Sequence, residues 1–97
     1  MTKLNLGLDN KELYNGCEIE TVGGRLNLKT PVKEAIEIIG SNANEIVRKL
    51  APKDEIILTG AMAVWAYLIV FHAVVHRFSR VYYDDGRGNC VLIAAHG

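Results

Sequence analysis

The side chains able to do chemistry crowd into the last third of the chain: His72, His76, Arg77, Arg80, Asp84, Asp85, Arg87 and His96. All three histidines of the sequence lie there. Imidazole, carboxylate and guanidinium together suit phosphodiester chemistry. They offer an acid or base, a ligand for Mg²⁺ or Mn²⁺, and a clamp for charge that develops on a transferring phosphoryl group. His72 and His76 are four residues apart, so on a helix they share a face and can meet a divalent metal together. The simpler reading of His72, deep in an apolar run and with no glutamate in an HExxH arrangement, is a buried imidazole bonded to a carbonyl. His76, beside Arg77 at the helix end, reads as wet and reactive. A protonated imidazole also suits the negative end of a helix dipole, which is a purely structural use of it. Asp84-Asp85-Gly86-Arg87, taken alone, reads as a solvated turn. The expected geometry brings that turn close to His76 and leaves His96 at the other end of the last strand. His96 would then join His76 and Asp85 only across a subunit interface or through a strongly twisted sheet.

The unit that must position these groups runs from Glu55 to Arg80. Glu55–Thr59 reads as a short buried strand, Thr59-Gly60 breaks it, and Ala61–Arg77 reads as a helix apolar on nearly every face. A strand, a glycine turn and a helix form the unit that often holds anions at the helix N-terminus. Ile56 to Val75 is an uncharged stretch long enough in principle to span a bilayer. The Thr59-Gly60 break and the clean split into strand and helix argue for a soluble domain instead, because the remaining strands need this helix as cover.

Upstream, Leu4, Leu6 and Leu8 alternate with polar residues, Cys17–Val22 alternates again, and Gly23-Gly24 leads into Arg25–Lys29 as a hairpin. These strands predict an N-terminal β-meander. Thr30 as N-cap and Pro31 at the first helical position open a helix that Gly40 ends, and Ser41 or Asn42 caps a second one through Leu50. Arg80–Tyr83 and Asn89–Ala95 are strands joined by the Asp84–Gly88 turn. The order β-β-β-α-α-β-α-β-β predicts an α+β fold, a mostly antiparallel sheet covered by helices.

Ninety-seven residues make one domain, residues 1–97, and 49% hydrophobic content is too high for a disordered chain. Eleven basic and eleven acidic residues cancel, so no global field recruits DNA or an acidic membrane. Cys17 and Cys90 form no CxxC pair and read as two free thiols. With a polar N-terminus that lacks a signal peptide's apolar core, the expected location is the cytoplasm.

The run from Thr59 to His96 resembles the small CRISPR-associated proteins of the Csx-three family. Thr59-Gly60, Trp65, His72, His76, Asp85, Arg87 and His96 fall at nearly the places of that family's pattern: a strand ending in a small hydroxyl residue and Gly, a helix with Trp early and His late, a Tyr-Asp-Pro-Arg-x-Gly turn, and an apolar strand ending in His. The likeness covers about the last forty residues. It implies a ferredoxin-like α+β fold, homodimers that assemble into tetramers or larger species around the ligand, and cleavage of cyclic tetra-adenylate. That cyclic nucleotide is the second messenger of type III CRISPR antiviral defence, and the activity is that of a ring nuclease. Manganese-dependent trimming of RNA 3′ ends is also attributed to the family, so a Mn²⁺ or Mg²⁺ ion is the implied cofactor. Carried over, His76, Asp85 and Arg87 form the catalytic group, His96 and Asp85 are the metal ligands, and Thr59, Gly60, Ala61 and Met62 bind substrate. Val75-His76 stands where the family has two adjacent histidines, and Asp84-Asp85-Gly86 stands for its Asp-Pro, so either aspartate matches. A non-catalytic sensor of the same messenger, and a structural oligomeric α+β module, are the alternative readings.

Overall fold

The computed structural model describes residues 2–50 and 54–95. Strand β1 (Thr2–Asn5) places Leu4 in the core, and Leu6 follows it there fully buried. The strand stops because Asn5 and Asn10 turn the chain: Gly7 N–H donates to Asn5 Oδ1 at 2.8 Å and Asn10 Nδ2 donates to the Asn5 carbonyl at 2.7 Å. Leu13 and Tyr14 close this turn over the core, with the Tyr14 hydroxyl donating to the Leu6 carbonyl.

Strands β2 (Ile19–Val22) and β3 (Arg25–Leu28) form the antiparallel hairpin that Gly23-Gly24 predicts. Both glycines have positive φ, 57° and 79°, as a two-residue turn matching the strand twist requires. This hairpin is its own two-stranded sheet, so the predicted N-terminal meander does not form. β1 pairs instead with a strand some fifty residues on, and Leu4 and Leu6 are buried there.

Helix α1 (Val32–Lys49) is a single element, not two helices divided at Gly40. Ala35, Ile39, Ala43, Ile46 and Val47 are buried along one stripe, so the amphipathic period runs through the glycine. A β-carbon at Gly40 would lie 3.5 Å from Ile69, which marks the position as a close approach to the neighbouring helix rather than a stop. Thr30 does not cap the helix; its hydroxyl accepts the Glu18 N–H at 2.7 Å and closes the base of the hairpin.

Strand β4 (Glu55–Thr59), helix α2 (Val64–Val75), strand β5 (Arg80–Asp84) and strand β6 (Cys90–Ala95) complete the chain. The main sheet has the order β1-β4-β5-β6; β1-β4 and β4-β5 are parallel and only β5-β6 is antiparallel. The fold is therefore α+β as expected, but its sheet is mixed rather than mostly antiparallel. The physical reason is that α1 and α2 each return the chain to the same end of the sheet before the next strand starts. Leu4, Ile56, Leu58 and Val81 point from the sheet into a core shared with Ile39, Val47, Val70 and Val74. Among the described residues, no helix is long and apolar enough to cross a membrane.

α2 is apolar on its wet side too. Ala66, Val70 and Val74 are buried, while Val64 and Leu68 are 74% and 63% exposed. β6 is an edge strand in which Val91, Leu92 and Ile93 are each about half exposed.

Candidate functional site

Parallel pairing of β4 with β5 fixes which groups can meet. Thr59 and Asp84 end at the same edge of the sheet, and Glu55 and Arg80 begin at the other. α2 starts beside the first edge and ends beside the second. The loop 60–63 and the turn 84–89 therefore share one end of the molecule. His76, which follows α2 and precedes Arg80, sits at the opposite end. The twelve residues of α2 put these ends about 18 Å apart, at ~1.5 Å per helical residue. The expected closeness of His76 to the Asp85–Arg87 turn is thus not found within one chain. Ala95 pairs with Arg80, so β6 runs toward the His76 end; His96 itself lies outside the described residues.

At the first end, Gly60, Ala61 and Met62 line a groove of about 560 Å³ between α2 and β5. Its walls are Tyr67, Leu68, Phe71, Tyr83 and Ile93, with no charged side chain among the lining residues. The helix starts only at Val64, with Ala63 as its N-cap, so loop 60–63 is not the first helical turn that the sequence suggests. Gly60 turns the chain with φ 104°. Thr59 is not in the groove; it pairs with Asn5, and its carbonyl accepts the Leu6 N–H at 2.7 Å.

Tyr67 and Tyr83 carry no role in the sequence reading, yet they shape this groove. The Tyr67 hydroxyl donates to the Gly60 carbonyl and so ties the helix to the loop. Burial, then the neighbouring Tyr83 and Asp84, push the Tyr67 phenol up to about 12, so it remains a protonated donor at ordinary pH. The two rings meet edge to face, with centroids 5.4 Å apart. Tyr67 and Phe71 at i and i+4 on α2 are the sequence signal that points to an aromatic wall.

The turn separates the two aspartates by role. Asp85 Oδ1 accepts the Arg87 N–H at 2.7 Å and the Asn89 N–H at 3.2 Å, while Oδ2 accepts Asn89 Nδ2 at 2.9 Å. These bonds, the Asn89 side chain first and the Arg87 backbone next, hold the Asp85 carboxyl below its ordinary value of 3.8. Asp85 is therefore an ionised turn anchor rather than a proton donor. Asp84 Oδ1 accepts the Gly86 N–H at 2.9 Å. Arg87 is exposed at the tip of the turn.

A group whose folded value is lowered stabilises the fold above its unfolded value and loses that contribution as pH falls through the folded one. Acid titration is thus expected to move the Arg87 and Asn89 amide resonances with a midpoint below the ordinary Asp value of 3.8. A midpoint at or above that value would show that Asp85 does not hold the turn.

At the second end His72 and His76 stack edge to face, their ring centroids 5.3 Å apart, and both are exposed. The expected burial of His72 is overturned: its apolar neighbours belong to a helix whose outer face is itself apolar. Among the described residues no three His, Cys, Asp or Glu side chains converge on a point. The two histidines alone offer a two-nitrogen set, and both Asp85 oxygens are already engaged. One protomer's described donors do not fit a divalent cation held by protein ligands alone. No family model matches the chain, and neither the curated proteins nor the solved structures contain a significant match to it.

Proposed function

We propose that the protein binds cyclic tetra-adenylate and opens it as a ring nuclease, with each cutting centre assembled from two copies of the chain. The observation that carries this reading is the placement of Gly60, Ala61 and Met62 in the wall of the 560 Å³ groove, at the same end as the Asp85–Arg87 turn. Three of the four residues that the family resemblance assigns to substrate thus border a cavity of nucleotide size with aromatic walls. His76 lies at the far end of its own chain, so the copy that binds a ring must receive its imidazole from another.

The homodimer or tetramer of this reading finds support in β6, whose exposed edge carries Val91, Leu92 and Ile93 and no charged residue. In the reaction, His76 acts as the base or acid on the ribose 2′-hydroxyl or leaving oxygen. Arg87 offsets charge on the phosphorane-like centre, and Asp85 holds Arg87 in place through the turn. The ferredoxin-like arrangement implied by the resemblance is not evident in the β1-β4-β5-β6 order and its two parallel pairings. The distance between His76 and the turn also favours a second reading, a sensor or sponge that retains the messenger uncut.

Radiolabelled cyclic tetra-adenylate incubated with the purified protein, with and without Mn²⁺, separates these readings. The expected product is the linear nucleotide, in a yield that falls on dilution as copies separate. Retention of the intact ring would leave only the sensor, and neither binding nor cleavage would dismiss both.

A further inference from the structure

A second cavity adjoins the groove and draws on the N-terminal half of the chain, where no family likeness reaches. It encloses about 390 Å³ and is lined by Asn5, Asp9 and Arg25 among others, and Ala61 borders both cavities. Their chemistry differs: the groove is apolar and aromatic, while the adjoining pocket holds one carboxylate, one guanidinium and one amide. Arg25 stands at the first position of β3, beyond the Gly23-Gly24 turn, so the hairpin delivers it to this end of the sheet. Among the described residues it forms no ion pair, in contrast to Lys29, Arg48, Lys49 and Arg80. Asn5 orders the pocket floor: its amide donates to Asp9 Oδ1 at 3.0 Å and its oxygen accepts the Gly7 N–H at 2.8 Å.

An apolar slot with ring walls beside a pocket that pairs one anion with one cation matches the two ends of a nucleotide. A purine has faces that stack on aromatic side chains. A ribose hydroxyl donates to a carboxylate, as an acidic residue reads the ribose in dinucleotide sites. A phosphate is met by an arginine in bidentate fashion. We propose that the two cavities are halves of one nucleotide site, the purine in the groove, the ribose on Asp9 and the phosphate on Arg25. This inference rests on the nucleotide reading above and adds the hairpin as the arm that recognises the backbone of the ligand. It gives the N-terminal half a role in affinity while leaving the cutting groups where they are.

The test titrates the ¹⁵N-labelled protein with cyclic tetra-adenylate and, separately, with adenosine 5′-monophosphate, in the parent chain and in Arg25→Gln. Lys33→Gln, on the wet face of α1, is the charge-matched control. Arg25 is exposed at the start of β3, so its replacement leaves the fold intact, and the unchanged amide spectrum away from the hairpin verifies this. The expected result is shifts at Arg25, Ala61 and Tyr83 on addition of either nucleotide, with binding about tenfold or more weaker in Arg25→Gln and unchanged in Lys33→Gln. Equal affinity of Arg25→Gln and the parent for the cyclic ligand would overturn the inference while the ring-nuclease reading stands. Shifts with the mononucleotide but none with the cyclic ligand would keep the two-cavity site and remove the cyclic messenger as its occupant. Silence of these three amides toward both nucleotides would overturn both.

Discussion

His76→Ala and Arg87→Ala are each expected to lose cleavage of cyclic tetra-adenylate by at least about a hundredfold, and an equimolar mixture of the two is expected to recover it. A positioned general acid or base contributes about 10²–10⁴-fold, and a group that offsets developing charge contributes on a similar scale. Both side chains are exposed, so neither substitution threatens folding. The recovery follows from polarity: His76 and Arg87 lie at opposite ends of α2 and β5, and only a second copy can unite them. In a twofold dimer each such centre occurs twice, once in each direction. Random mixing makes half of the dimers mixed, and each mixed dimer holds one intact centre, so about a quarter of the parent rate returns. Gel filtration before the assay confirms exchange of copies. A mixture no faster than its parts would show that the two residues do not complement each other across copies. A single variant with parental turnover would remove its residue from the mechanism.

Several features that position the site were readable in the chain. The Gly23-Gly24 hairpin is legible because two glycines supply, without steric cost, the two consecutive positive φ values that so short a turn requires. The strand, break, helix, strand and hairpin from Glu55 to Ala95 are legible because apolar runs change period at Gly60 and again at Arg80. Pairing of β1 was not legible, since Leu4 and Leu6 alternate with polar residues whether their partner is the next strand or one fifty residues on. Gly40 resembles a helix stop because the local signal for a C-cap equals that for a helix contact; Ile69, on another helix, decides which it is. His72 illustrates the limit of context as a guide to burial, for a helix with Val64 and Leu68 on its wet face surrounds an exposed histidine with apolar sequence. The separation of His76 from the turn was within reach of the sequence. A helix that ends where β5 begins cannot also lie beside the turn at which β5 ends. The hairpin's place beside Ala61 was not, because nothing in residues 19–28 specifies where the hairpin leans.

Gly60→Ala is expected to be a severely damaging small substitution, lowering stability by about 2–6 kcal/mol. Two costs combine. At φ 104° a side chain forces a backbone conformation that L-residues rarely adopt, which costs about 1–3 kcal/mol. The added β-carbon would also fall 2.3 Å from Asn5 Oδ1, 2.7 Å from the Gly7 nitrogen and 3.0 Å from the Leu6 nitrogen. The asparagine oxygen can swing aside only by giving up its bond from Gly7, and the other two atoms are backbone, with the Leu6 N–H held by the Thr59 carbonyl. Overpacking of that kind costs about 1–3 kcal/mol more. In a domain of this size each kcal/mol moves the melting temperature by roughly 4–8 °C, so a thermal scan should fall by roughly 8 °C or more. Gly86→Ala separates the two costs, because Gly86 has φ 77° but open space around its β-carbon position. It should show only the conformational part, about half of the Gly60→Ala drop. Equal melting temperatures for the two variants would mean that the Asn5–Gly7 turn yields without cost, and that loop 60–63 is not held where the groove needs it. The large drop would instead tie the glycine that opens the groove to the turn that floors the adjoining pocket, since both depend on the same three backbone groups at Leu6, Gly7 and Gly60.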